Sequence, residues 1–535
     1  MKIVRVNRSV RIKEEVYHFS KKMKIILFSL LIVLNLILRI PFFPHEYGSD
    51  SFVIHIVANS VSEFGYARWW LNPLSIFGLY PFSVCSSVPF ILSGISQSTD
   101  IDVEHVIWLL CMFLGLLNVF AGYIMAEKIM NDDLFKLLVA FCLSTSPAVL
   151  NYLTWTITTR APFIGLLPLF IYSLFKCRAF KLRFGFLTTI LFILLFATHH
   201  LVYFLIPVII GYFVVIIFHK FRNYITIRIP EKFTIIAIFI SFIIMFAIPF
   251  FTGHFIEGSR YGAIIDLFLG NLPRYAGILG IYAVGGFFYL LYKSNKRPEE
   301  WSLLLILLFL TPFLYIETYM KWFIPCFISL FVGVGLVNTL KLKSDEQKKR
   351  YVLIIIIIFL LLSVSFSGFY QHWRTKGGKI RLFTNYMKDS TYSAGLWAKE
   401  NVEGTAISNN ILIGIRFFAV SEVPLMSGYF DVVDLSYGLA NTSDLKLIKR
   451  SITSENFWFD GPYAKKGGYS SKEYWEDIMG HSYSYYKSSK YPSIFNFTHF
   501  IEYKSGKKPP ILHYIQNNNF CIYDNGEIIV WKVQL

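Results

Sequence analysis

Eleven apolar runs govern what this chain can fold into. They cover residues 24–43, 105–126, 134–152, 161–176, 184–199, 200–218, 232–252, 274–292, 301–317, 322–340 and 351–369. Crossing about 30 Å of hydrocarbon takes roughly 17 to 25 helical residues, and most of the runs reach that length. With no water to satisfy backbone amides there, such runs fold as helices. The fifth and sixth form a hairpin through "THHL". Composition agrees. Of 535 residues 55% are hydrophobic and 18% aromatic, and mean hydropathy is +0.51, an excess that a soluble fold does not carry. The pattern predicts a polytopic α-helical membrane protein, with residues 24–369 as its transmembrane domain.

Charge orders the loops. The formal net charge is +17, which in a soluble protein would suggest nucleic acid. Here the cations gather in "KIVRVNRSVRIKEEVYHFSKKMK", "KCRAFKLR", "HKFRNYITIRIPEK", "YKSNKRPEE" and "KLKSDEQKKR". Every second loop is basic. Those between hold only Arg68, Arg160, Arg260, Arg274 and Lys321. This alternation predicts a cell-membrane protein with a basic cytoplasmic N-terminus, residues 1–23, and no nucleic-acid partner. No cleavable signal pattern stands at the start. The six cysteines are scattered without a C-x-x-C, so neither a zinc site nor a disulfide framework is implied.

An odd number of spans places residues 370–535 outside the cell, together with a first external loop, 44–104. From Tyr370 the apolar runs shorten and Tyr, Ser, Asn, Lys and Gly increase. "STYSAGLWAKENV" reads as a helix, and "GTAISNN" and "NFCIYDNGEIIVWKV" read as strands. Asp524-Asn525-Gly526-Glu527 is a hairpin turn signal. A C-terminal extracytoplasmic α/β domain is expected. Asn441 and Asn496 open sequon patterns on its surface.

The first external loop concentrates the candidate chemistry. Ser49 or Asp50 caps a helix from Ser51, expected to lie along the membrane surface. An acid at the external mouth of a bundle either caps that helix or holds a divalent cation or acts as a base. Glu46 is the lesser catalytic candidate, nearer the span. Asp100-x-Asp102 forms a D-x-D pattern and reads better as a helix N-terminus. His199-His200 lie at an outer turn, as metal ligands, phosphate contacts or an interfacial polar turn. Glu317 can pair with Lys321 at i,i+4. The loop 253–273, with Glu257, Arg260 and Asp266, is either a flap over the site or a connector.

The order "GSDSFVIHIVANSVSEFG…RWWLNPLSIFGLYPFSVCSSVPFIL" resembles the first loop of GT-C membrane glycosyltransferases, and most of all that of the catalytic subunit of archaeal-type oligosaccharyltransferase. "KWFIPCFISLFVGVG" is similar to that family's basic-aromatic-Pro-Gly helix. The resemblance implies a donor sugar on a polyprenyl phosphate or diphosphate and a glycan, lipid or protein acceptor. Asp50, with Glu46 behind it, would engage the acceptor. Arg160, Lys321 and Arg274 would neutralise the leaving phosphate. His199, Trp69 and Tyr80 would line the substrate site, and Asp50 with His200 would hold a divalent cation, Mg or Mn.

Two departures restrict the reading. Where the family carries a second acidic motif, "NYLTWTITTRAPF" has no acid and Arg160 stands instead. The family's Trp-Trp-Asp motif has no counterpart after the last span; "YWEDIMG" at 474–480 is out of place. The expected function is therefore the wider one of a lipid-linked-sugar transferase. A polysaccharide polymerase or O-antigen-ligase-like enzyme, and a lipid-linked-sugar transporter or flippase, are the alternatives. Against the last, the halves show no repeat and charges sit at span ends.

Overall fold

The computed structural model describes residues 16–77, 79–80, 82, 86–177, 182–221, 231–251, 272–313, 320–341, 346–376, 386–426, 428, 430–452, 457, 461–466, 470–482 and 497–533. The segment 253–271, with Glu257, Arg260 and Asp266, lies outside them. So do Glu317, Asn496 and the side chain of Lys321.

Each apolar run contains a helix. The helices are α1 (Lys21–Ile37), α4 (Val103–Ile129), α5 (Asp133–Ser144), α7 (Arg160–Lys176), α8 (Leu182–Thr198), α9 (Leu205–Phe221), α10 (Glu231–Phe251), α12 (Tyr282–Tyr292), α13 (Pro298–Leu310), α15 (Pro325–Leu340) and α16 (Glu346–Lys376). Short helices interrupt this series: α6 (Pro147–Leu150), α11 (Leu272–Ala276) and α14 (Met320–Phe323). The third run breaks before Pro147 and the tenth before Pro325, each proline opening a new helix where its missing N–H costs nothing. Among the described residues three helices are long and apolar enough to cross a membrane by length and composition, namely Val103–Ile129, His200–Phe221 with its 3₁₀ lead-in, and Gln347–Lys376.

Small residues set the closest helix contact. A Cβ on Gly286 of α12 would fall 1.9 Å from the Phe331 carbonyl oxygen, and one on Gly335 of α15 would fall 2.3 Å from that of Tyr282. The two backbones touch because neither position carries a side chain.

The first loop folds into α2 (Ser49–Phe64) and α3 (Val88–Thr99). Asp102, not Asp100, caps α4, its carboxylate accepting from the His105 N–H at 3.0 Å. That assigns the D-x-D pattern to helix capping.

The C-terminal part of the chain combines helices with a small mixed sheet. It holds α17 (Asp389–Asn401), α18 (Ile411–Ser421), α19 (Asp431–Ser436), α20 (Ser471–Gly480) and α21 (Pro510–Asn518). Its sheet runs β2 (Leu425–Met426), β1 (Ala406–Ser408), β5 (His499–Tyr503), β7 (Ile528–Lys532), β6 (Phe520–Asp524). β1 is parallel to both neighbours, and β7 is antiparallel to β5 and β6. The β6–β7 turn falls at Asn525-Gly526, where Gly526 adopts φ 89°. β3 (Leu447–Lys449) and β4 (Tyr463–Lys465) pair separately.

Helix α2 departs from its expected place on a membrane surface. Every residue from Ser51 to Val61 is buried. One face, through Ile54 and Ala58, belongs to the core of the helical bundle. The other, through Phe52, Val53, Ile56 and Val57, shares a core with Phe417, Phe418 and Val433 of the C-terminal domain. Asn59 Nδ2 donates to the Ala419 carbonyl at 3.2 Å. A helix with apolar residues on more than one face is buried between partners, and here there are two.

The glycine contact generates a prediction. Gly286→Ala forces α12 and α15 apart, for a loss of about 1–3 kcal/mol. The expected result is a lower thermal denaturation midpoint for the purified protein in detergent. An unchanged midpoint would mean that the helices do not pack this closely.

Candidate functional site

The site is assembled by lacing the first loop to residues 151–160. Tyr47 N–H donates to the Trp155 carbonyl at 3.1 Å, and Ile157 N–H donates to Ser51 Oγ at 3.0 Å. Between these bonds sits Gly48, φ 95°, where a Cβ would come within 2.7 Å of Thr156 Oγ1. Only glycine suits both the backbone conformation and the gap. The third wall comes from the end of α16, whose Gln371 donates to Thr154 Oγ1 and to Tyr47 Oη. Lacing puts the first turn of α2, with Asp50, opposite the first residue of α7, which is Arg160.

Asp50 Oδ2 accepts from Arg160 Nη2 at 2.9 Å. The Asp50 side chain is 46% exposed and that of Arg160 18%, so the pair lies at a mouth open to solvent. Beside it a cavity of about 260 Å³ is lined by Tyr47, Gly48, Ser49, Asp50, Asn151, Tyr152, Thr156, Thr158, Arg160, Arg374 and Thr375. Arg160 and Arg374 both reach Tyr152 Oη, at 3.4 Å each, and lie 5.3 and 5.6 Å from its ring centroid. Each is also 5.9 Å from Trp322, which meets Tyr152 edge-on at 4.6 Å. Two aromatic faces thus hold two guanidiniums on one cavity wall, a geometry suited to cation–π contact. The described lining carries one carboxylate and two guanidiniums.

Glu46 takes a supporting place instead of a catalytic one. It is fully buried, receives Ser51 Oγ at 2.9 Å, and meets His55 Nδ1 at 2.6 Å. Its own N–H donates to Glu104 Oε1 at 3.0 Å. Burial pushes the His55 imidazole down, but the Glu46 carboxylate, by charge and by hydrogen bond, overrides this and holds it above 6.5. Glu46 therefore fixes Ser51, and Ser51 fixes Ile157.

Other expected site residues lie elsewhere. Trp69 is 1% exposed and packs with Phe90 in the core shared with the C-terminal domain. Tyr80 stacks on Tyr463 at 4.6 Å, joining the first loop to that domain. Arg274 is exposed on α11, while its neighbour Tyr275 packs on Trp322 at 4.8 Å. His199 is buried, and its Nδ1 accepts from the Leu201 N–H at 2.9 Å, which caps the following 3₁₀ turn. Its ring lies 3.9 Å from that of His200. Neither histidine lines the cavity.

A divalent cation does not fit the residues described. Oxygen-loving cations collect carboxylates. Asp50 is instead paired with a guanidinium, and among the described residues no group of three or more His, Cys, Asp or Glu side chains could hold a metal. Asp50 and His200 do not form the metal site expected of them.

Arg374, Asn151, Tyr152 and Trp322 are site residues that sequence reasoning missed. Arg374 had a readable signal, a cation just after the last span in "QHWRTK". The others are aromatic or amide residues with no periodicity to mark them.

No protein-family model and no curated protein matches the chain. Solved structures do. The archaeal oligosaccharyltransferase AglB from Archaeoglobus fulgidus, in complex with an inhibitory peptide and a dolichol-phosphate, superposes with a TM-score of 0.55 at 10% identity over 90% of this chain and 69% of that one. The same organism's oligosaccharyltransferase tethered by a disulfide to an acceptor peptide containing the NVT sequon gives 0.53 at 10%, over 95% and 82%. Its complex with Zn and sulfate gives 0.53 at 13%, over 89% and 67%.

The Glu46–His55 pair sets a pH dependence. Because the folded value of His55 is raised, the pair's contribution is complete below about pH 6.5 and is lost as pH climbs through the folded value. The denaturation midpoint should therefore carry a component that falls as pH rises above about 6.5, and Glu46→Gln should remove it. An identical slope in the variant would dismiss the pair as its source.

The helices, the laced first loop and the C-terminal sheet together give this chain a fold like that of the archaeal oligosaccharyltransferase structures.

Proposed function

We propose that this chain is a membrane glycosyltransferase of the GT-C type. It moves a sugar or glycan from a polyprenyl-phosphate-type lipid carrier to an acceptor on the extracytoplasmic face. The observation that carries this reading is the Asp50–Arg160 pair at the mouth of a cavity walled by two guanidiniums, within an oligosaccharyltransferase-like fold. Dolichol-phosphate and an acceptor peptide are held by structures that share that fold, which supports a lipid-linked donor here. The charge alternation of the loops supports a cytoplasmic N-terminus and an external C-terminal domain.

Transfer breaks the bond between the anomeric carbon and the phosphate oxygen, and the electron pair stays on the phosphate. The acceptor's nucleophilic atom bonds to the anomeric carbon and releases its proton. Asp50 is half exposed and can accept that proton from the solvent side. Arg160 and Arg374 face the charge that develops on the leaving oxygen, where fixed cations in a partly dehydrated cavity count for more than in water. Lys321, next to Trp322 in the chain, and Arg274, next to Tyr275 that packs on Trp322, assist at the lipid side. Glu46 acts through Ser51, holding the turn that presents Asp50.

Assay of sugar transfer from polyprenyl-linked donors should show a loss of about 10²-fold or more in Asp50→Ala, the usual weight of a positioned acid–base group. Full activity in that variant would sink the assignment.

A further inference from the structure

The oddity of the site is that its carboxylate is already neutralised by the chain itself. We propose that the Arg160 guanidinium holds, on Asp50, the place of a divalent cation, so that the cavity binds a phosphate oxyanion without a metal. The inference rests on the transferase reading and specifies how its leaving group is recognised.

Three observations carry it. First, Arg160 Nη2 lies 2.9 Å from Asp50 Oδ2, a full charge-assisted hydrogen bond. A divalent ion on that oxygen would face the guanidinium at close range. Second, Arg374, from a different helix, shares the Tyr152 hydroxyl and ring with Arg160. Two planar cations braced on one phenol make a fork for an anion, since guanidinium geometry matches phosphate oxygens bidentately. Among the described lining residues, one carboxylate stands against two guanidiniums. Third, two lining residues more than nine-tenths buried, Asn151 and Thr158, carry polar atoms with no partner among the described residues: the Asn151 amide Nδ2 and the Thr158 hydroxyl. Buried donors left unmade are costly, and a ligand oxygen is the natural partner for them. A fixed arginine can do electrostatically what a Lewis acid does for a leaving phosphate.

The test uses the full chain in nanodiscs and reads binding, separately from sugar transfer. Mn²⁺ is titrated and followed by electron paramagnetic resonance. Polyprenyl monophosphate binding is followed by thermal stabilisation, with polyprenol as control. The expected results are no saturable Mn²⁺ binding, and lipid-phosphate binding that EDTA leaves unchanged. That binding should weaken about tenfold or more in Arg160→Gln and in Arg374→Gln, the weight of one charged hydrogen bond. Arg160→Glu, which pairs a second carboxylate with Asp50, should gain Mn²⁺ binding. Saturable Mn²⁺ binding by wild type that Asp50→Asn abolishes would overturn the proposal, as would equal binding of polyprenol or loss of lipid-phosphate binding in EDTA. If Arg160→Gln does not fold, the wild-type and Arg374→Gln measurements decide. Failure of sugar transfer with these binding results intact would instead refute the transferase reading alone.

Discussion

The buried chain of bonds from Glu46 through Ser51 to Ile157 is what the rest of the site depends on. It joins two stretches more than a hundred residues apart and leaves no freedom in how α2 meets α7. Asp50 and Arg160 are helix-start residues, so their separation is set by that seam rather than by their own side chains. Glu46 is fully buried and is satisfied by Ser51 and His55, the arrangement a dehydrated carboxylate requires. Catalytic candidates need this kind of support, because a small displacement of a charged group costs much of its effect.

The helical architecture was legible in the sequence because hydrocarbon imposes length and polarity on each segment. Each apolar run became a helix, and two of the breaks fell at Pro147 and Pro325. The C-terminal domain was legible for local reasons. Its helix at 389–401, its strand at 406–408 and the hairpin turn at Asn525-Gly526 follow from propensity and turn chemistry.

The interior of the site was legible only in part. Asp50 and Arg160 stood out singly, as an acid after a span and a cation on a face poor in cations, but nothing in their spacing joined them. Pairing depends on a tertiary seam with no periodic signature. Glu46 was misread for the same reason: exposure and burial look alike among the polar and aromatic residues around it. Trp69 and Tyr80 looked like substrate contacts because aromatic residues serve both packing and binding, and here packing against the C-terminal domain won. Arg374 went unnoticed because a cation at a span end is commonplace.

Helix α2 has a consequence beyond holding Asp50. It contributes apolar side chains to two hydrophobic cores at once, one in the bundle and one in the C-terminal domain. Neither core is complete without it. The two halves of the chain therefore share a single structural spine, and removing either would leave apolar side chains of this helix facing water. The C-terminal part of the chain thus packs directly on the helix whose first turn carries the carboxylate at the cavity mouth, and the scaffold of the site extends beyond the bundle.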